Sequence, residues 1–152
     1  MRLETADGQS LELEILGYQY PDVETEEYDS NWLNVEGKVA HPRGGWKFRD
    51  PCLLTYEASR LADWLDSLAR GTLSSAEVSF IEPNISFRSV ESPSGASLRV
   101  CFELETRPPW APSDVVEGEQ CWIDFPLSEF ELRRAAASLR DQLKKYPQRG
   151  AR

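Results

Sequence analysis

The sequence predicts an α+β fold in which a strongly bent antiparallel β-sheet of about seven or eight strands packs against two α-helices. Three observations support this prediction. Several short runs alternate apolar and polar residues, two longer segments have apolar residues at helical spacing, and the links between successive strands are too short for parallel pairing. Hydrophobic residues make up 40% of the 152. We therefore expect one domain over 1–152, with a frayed tail at 147–152.

The first predicted strands form a hairpin near the N-terminus. Apolar residues from Leu11 to Ile15 alternate with glutamates, which predicts a strand over Ser10–Tyr20 with one face in water. The pair Asp7-Gly8 is typical of a tight turn and connects this strand to a short one at Arg2–Thr5.

A second hairpin is predicted from Ser30–Ala40 and Gly45–Arg49, joined by a turn at Pro42–Gly45. Gly37 in the first arm indicates a bulge or a close approach of two backbones. Because both arms carry a tryptophan, and the following helix carries another, we expect one buried cluster of Trp32, Trp46 and Trp64.

Two helices are predicted. The first covers Thr55–Arg70, with Thr55 as its N-cap, Gly71 as its stop and a short helical turn before it at Asp50-Pro51. The second covers Ser128–Tyr146, because a capping box at its start precedes an apolar stripe.

Four more strands are predicted between the helices, with a turn at Pro93–Gly95 and a stiff connection at Arg107–Pro112 in which Trp110 is either docked or exposed. They cover Ala76–Glu82, Asn84–Glu91, Ser97–Glu105 and Glu119–Phe125. The chain order is thus four strands and a helix, repeated once.

Charge is unevenly distributed along the chain. The net charge is −9, yet residues 129–152 hold three acids and seven bases, and the first 36 residues hold ten acids against Arg2 alone. A surface that grips phosphates needs clustered lysine and arginine, so direct binding to nucleic acid is disfavoured. The chain has no apolar run of signal-peptide or membrane length, so we expect a cytoplasmic protein.

The residues that usually carry catalysis or bind cofactors are missing. There is no phosphate-binding loop, nucleophile elbow or HExxH motif, and His41 is the one histidine. We therefore predict no catalytic site, no cofactor and no metal. Three cysteines without a CxxC pair are expected to be free thiols, with slow labelling of at least two of Cys52, Cys101 and Cys121.

Four stretches resemble a known family. They are DSNWLNVEGKV (Asp29–Val39), WKFRDPCLLTYE (Trp46–Glu57), LADWLDSLARG (Leu61–Gly71) and SFIEPNISF (Ser79–Phe87). Together they resemble the WapI family of bacterial immunity proteins, most strongly from Asp29 to Phe87; the C-terminal half matches only in its layout. The resemblance implies a small cytoplasmic protein that neutralises the toxin domain of a secreted contact-dependent toxin, often a nuclease, tRNA being one target. It carries over no binding residues.

Three classes of function follow. The first is an immunity protein that binds a basic toxin domain through acidic side chains, which we expect to be Glu12, Glu14, Asp22, Glu24, Glu26, Glu27, Asp29 and Glu36. The second is a module that binds a small ligand or another protein on the concave face of the sheet. The third is an enzyme that uses only carboxylates. Neither the toxin nor the oligomeric state follows from the sequence.

Overall fold

A computed structural model of the protein describes residues 1–93, 95–111 and 121–150. The described residues form eight strands in two four-stranded sheets, and each sheet is followed in the chain by one helix. The first half contains β1 (Arg2–Glu4), β2 (Ser10–Tyr18), β3 (Trp32–Ala40), β4 (Trp46–Leu54) and α1 (Thr55–Arg70). The second half contains β5 (Glu77–Val78), β6 (Ile85–Ser92), β7 (Gly95–Phe102), β8 (Cys121–Pro126) and α2 (Glu129–Lys145).

All strand pairs are antiparallel and follow the order of the chain. The predicted α+β class, the two helices and the repeated order of four strands and a helix are therefore confirmed. The strands form two sheets instead of one bent sheet, however, because α1 separates β4 from β5. Alternation along a strand shows which of its faces is buried, but not which of its edges is paired. Both sheets and both helices contribute to one hydrophobic core.

The strand β4 is longer than predicted. It continues to Leu54, so the short helical turn expected at Asp50-Pro51 is wrong. Pro51 has no N–H to donate, and it lies where the pairing with β3 shifts between Leu33 and Val35. Since β4 is an edge strand of its sheet, a proline is tolerated there.

Gly37 marks neither the bulge nor the close approach of two backbones that its position in β3 suggested, because it lies under an aromatic ring. It lies opposite Phe48, and a Cβ built on Gly37 would come within 2.0 Å of Phe48 Cζ. The aromatic ring therefore covers the glycine across the strand pair. Any larger residue at position 37 would force the ring out of the core.

The first helix covers the predicted residues, but the prediction that Thr55 is its N-cap is wrong. Leu54 occupies the N-cap position, and its backbone N–H donates to Glu57 Oε2 at 3.1 Å. The Thr55 hydroxyl instead donates to Asn31 Oδ1 at 2.7 Å. Gly71 ends the helix with φ of 69°, a conformation that glycine adopts easily. In α2 the Ser128 hydroxyl accepts from the Glu131 N–H, as expected of an N-cap.

The predicted cluster of three tryptophans is wrong. Trp46 and Trp64 are buried, but Trp32 is only half-buried and lies opposite Leu54 at the far end of the hairpin from Trp46. Trp46 contacts the second sheet, with its ring centroid 5.3 Å from that of Phe102.

Two further expectations fall partly outside the described residues. The strand expected at Glu119–Phe125 begins at Cys121 in the described part, and the turn at Pro93–Gly95 includes Ser94, which is not described. Neither described helix is long and apolar enough to cross a membrane.

Candidate functional site

An acidic surface lies on the loop between β2 and β3, residues 19–31, which we call the acidic loop. Its five carboxylates are all exposed, and none forms an ion pair with a described residue. They belong to Asp22, Glu24, Glu26, Glu27 and Asp29. The negative charge of this loop is therefore free to act on a partner.

The acidic loop is held in place by Asn31, which is 1% exposed. Asn31 Nδ2 donates to the Glu27 and Arg149 carbonyls, both at 2.8 Å. Asn31 Oδ1 accepts from the Thr55 hydroxyl and from the Arg149 N–H, the latter at 2.9 Å. One side chain thus connects the loop, the start of α1 and the C-terminal segment.

The C-terminal segment packs on the acidic loop, where the sequence suggested fraying. The Arg149 guanidinium lies 3.6 Å from the centre of the Tyr18 ring and donates to the Pro21 carbonyl at 2.8 Å. A Cβ built on Gly150 would lie 3.1 Å from the Glu26 carbonyl oxygen, so the segment fits closely. Arg149 orders the loop without forming an ion pair with its carboxylates. Residues 151 and 152 lie outside the described part.

Exposed aromatic and aliphatic side chains accompany these acids. Tyr20 is 43% exposed and Tyr28 is 50% exposed. Tyr28 and Glu27 line a small cavity of about 220 Å³ together with Ile81, which is also exposed. Tyrosine side chains are common anchors in protein interfaces, so this mixture of acids and apolar rings is typical of a docking surface.

The other three predicted site residues lie elsewhere. Glu12, Glu14 and Glu36 point outward from the first sheet, where the side chains of four basic residues also lie. Glu12 pairs with Arg2, and Glu36 Oε2 is 2.6 Å from Arg49 Nε. The adjacent arginine holds the pKa of Glu36 below its ordinary value. These ion pairs leave Glu12 and Glu36 less available to a partner.

A second acidic group, which the sequence analysis did not identify, lies at the junction of the two sheets. Asn84 Nδ2 donates to Asp50 Oδ2 at 2.9 Å and to Glu105 Oε2 at 2.7 Å. The three residues come from β4, from the connection before β6 and from a short 3-10 helix at Leu104–Thr106. No local pattern marks such a group, because its members are distant in sequence.

The connection at Arg107–Pro112 carries a docked tryptophan. Trp110 Nε1 donates to the Gly44 carbonyl at 2.9 Å, and the His41 ring stacks on Trp110 with centroids 4.9 Å apart. Partial burial and the nearby Arg43 lower the pKa of His41. Together with the exposed Trp122, these residues line an aromatic cavity of about 280 Å³.

The described residues contain no group of three or more histidine, cysteine, aspartate or glutamate side chains that could hold a metal ion. All three cysteines are free, with Cys52 and Cys101 buried and Cys121 half-buried. Their free state and the burial of two of them agree with the sequence analysis; the labelling rates stay a prediction.

A family model for the Immunity protein WapI-like family matches residues 2–147, nearly the whole chain. The chain therefore belongs to this family, and the resemblance seen in its N-terminal half extends through α2. No curated protein matches the sequence.

Proposed function

We propose that this WapI-like immunity protein binds the toxin domain of a partner protein and blocks it, with the acidic loop forming the surface that meets the toxin. The family supports an immunity role. The observation that favours this particular surface is the loop itself, in which five carboxylates are exposed and form no ion pair with the described residues. The partner surface would then be basic, as on a nuclease that grips phosphates.

The way the loop is held supports this role. Asn31 and Arg149 fix its backbone through hydrogen bonds, so the carboxylates project from an ordered segment. A preorganised surface loses less conformational entropy on binding than a mobile loop does. Such a protein needs no catalytic group, and the free cysteines fit a reducing compartment such as the cytoplasm.

Co-expression with a toxin tests this proposal. The toxin domain encoded in the reading frame next to this gene is expressed in bacteria with and without this protein, and growth is measured. We expect the toxin domain alone to arrest growth and co-expression with this protein to restore it. We also expect the two purified proteins to form a complex. Growth arrest in both cultures, with no complex, would contradict the proposal.

A second candidate function, binding of a small ligand, is favoured by the aromatic cavity at Trp110 and Trp122. Arg43 lies 4.4 Å from the centre of the Trp110 ring, and none of the described residues that line the cavity is a carboxylate. An aromatic carboxylate suits this environment. Titration with phenylacetate, followed by tryptophan fluorescence, tests this candidate. A saturable change in fluorescence that Trp122→Ala abolishes would support it, and a change that stays linear with concentration would contradict it.

A further inference from the structure

The group formed by Asp50, Asn84 and Glu105, which we call the notch, lies where the two sheets meet. Its centre is the Asn84 amide, which is 2% exposed and donates to a carboxylate on each side. The backbone of Asn84 is fixed too, because its carbonyl accepts from the Glu103 N–H at 2.9 Å and from the Thr106 hydroxyl. The notch is therefore an ordered feature of the fold.

The notch contains more hydrogen-bond acceptors than donors. One neutral amide donates hydrogen bonds to two carboxylates. Neither Asp50 nor Glu105 forms an ion pair with a described residue. Asn84 Oδ1 is buried and has no hydrogen-bond partner in the described part of the chain. Buried polar atoms are nearly always paired, so this unpaired acceptor beside two carboxylates indicates that a donor is missing.

The charge of the notch is also uncompensated. Partial burial raises the pKa of Asp50, and the neighbouring carboxylates of Glu105 and Glu82 raise it further. Among the described residues, no cation acts in the opposite direction on this pKa. A positively charged donor would relieve both the repulsion and the shortage of donors.

Two residues that are close to the notch in the chain are apolar and exposed. Leu104 is 59% exposed and has φ of 52°, an uncommon conformation for leucine. Ile81, three residues before Asn84, is 56% exposed and also lines the cavity beside Tyr28 of the acidic loop. Apolar side chains around a polar centre exclude water from that centre when a partner docks.

We propose that the notch receives an arginine side chain of the toxin domain, whose guanidinium donates to the oxygens of Asp50 and Glu105 that do not accept from Asn84. The inference rests on the proposed function and names one contact of it. Arginine presents five donors in a planar fork, which suits two carboxylates on opposite sides of an amide. A metal ion fits less well, because the notch has two carboxylates and the described residues contain no three-ligand cluster.

Two neutral substitutions separate this role from a structural one. Asp50→Asn and Glu105→Gln each keep an amide oxygen that accepts from Asn84 Nδ2, while they remove the negative charge. The double variant should fold and be at least as stable as the wild type near neutral pH, because the repulsion in the notch is gone. If the carboxylates served only the fold, the variant would lose stability.

The direct probe is N-acetyl-arginine methylamide, titrated into the full chain at constant ionic strength. The readout is the NMR signal of the Asn84 side-chain amide. We expect a saturable chemical-shift change with a Kd on the order of 10 mM. The citrulline analogue, which has the same shape without the charge, should cause no change in the wild type. The arginine probe should cause no change in the double variant. The matched control, Glu91→Gln with Glu129→Gln, changes the same number of charges on other exposed surfaces and should bind the probe like the wild type.

Three results would overturn the inference: no saturable shift with the arginine probe, an equal shift with the citrulline analogue, or saturable binding of Ca²⁺ in place of arginine. With the toxin domain in hand, the double variant should bind it at least tenfold more weakly than the control variant does. Equal affinity of the two variants would also overturn it. If the wild type binds no toxin, the proposed function fails, and the arginine titration alone decides whether the notch binds guanidinium.

Discussion

Asn31 shows how one polar side chain can hold a functional surface in place. It is the last residue of the acidic loop, is buried, and uses both the oxygen and the nitrogen of its amide to join the loop to α1 and to Arg149. Buried amides with every hydrogen bond satisfied favour a single arrangement of the elements that they join. The position of the five loop carboxylates therefore depends on a residue that carries no charge.

Replacement of Asn31 by alanine should lower the free energy of unfolding by about 2 to 3 kcal/mol, because several buried backbone groups lose their partners. Urea unfolding measures the loss, and hydrogen exchange at Arg149 should accelerate. The control is Asn34→Ala on the outer face of β3, which should stay within about 0.5 kcal/mol of the wild type. Equal losses in both variants would contradict the role given to Asn31.

The buried thiol of Cys52 should make the stability of the protein depend on pH. Burial, with nearby Asp50 adding to it, raises the pKa of this thiol to about 12 in the folded state from an ordinary value of 9.0. Above pH 9 the unfolded chain loses this proton while the folded chain keeps it, so stability falls as pH rises, by up to about 1.4 kcal/mol per pH unit. The variant Cys52→Ala has no thiol at this position, so its stability lacks this dependence on pH.

The stability difference between the wild type and Cys52→Ala should therefore narrow by about 1 kcal/mol between pH 9 and pH 10, and stay constant from pH 6 to pH 8. Urea unfolding under reducing conditions measures it at each pH. A constant difference up to pH 10 would show that the folded thiol titrates like an exposed one.

At the scale of elements, α2 protects an open edge of the first sheet. The short strand β1 pairs with β2 up to Glu12, and Met1 extends the hydrogen bonding to Leu13, whose N–H donates to the Met1 carbonyl and whose carbonyl accepts from the N-terminal ammonium, both at 2.8 Å. Beyond that point Gln142 Oε1 accepts from the Ile15 N–H at 2.7 Å, and its Nε2 also donates to the Leu13 carbonyl, at 3.3 Å. A glutamine on a helix thus replaces a missing strand, and unpaired strand edges are otherwise prone to association.

Gln142→Ala should cost about 1 kcal/mol of unfolding free energy and speed hydrogen exchange at the Ile15 amide. Gln148→Ala, at an exposed position near the end of the chain, is the control and should have no effect on that amide. Slow exchange at Ile15 in both variants would mean that other contacts protect the edge.

The elements that depend on local pattern were the ones that could be predicted. The alternation in β2 and the helical stripe of α1 indicate their own structure, and Gly71 marks the helix end because only its conformation suits that position. The register that separates Trp32 from Trp46, and the division into two sheets, depend on pairing between distant segments. The same reason explains why the acidic loop could be predicted and the notch could not: the loop is one run of acids, and the notch comes from three segments.

At the scale of the whole molecule, the uneven charge of the sequence becomes a spatial arrangement. The basic C-terminal segment contacts the acidic loop, yet Arg149 donates to backbone carbonyls and leaves the loop carboxylates unpaired. The acids on the outer face of the first sheet, by contrast, lie among arginine and lysine side chains. The acidic loop is therefore a surface on which a basic partner would find negative charge that no described residue pairs.

The rate at which the toxin domain associates with this protein tests that claim most directly. Glu24, Glu26 and Glu27 are replaced together by glutamine, and the control variant combines Glu91→Gln, Glu129→Gln and Asp141→Asn, which removes three charges elsewhere. At low salt the loop variant should associate about tenfold more slowly than the control, with a weaker dependence on salt, while dissociation stays unchanged. Equal association rates and equal salt dependence for the two variants would contradict the account.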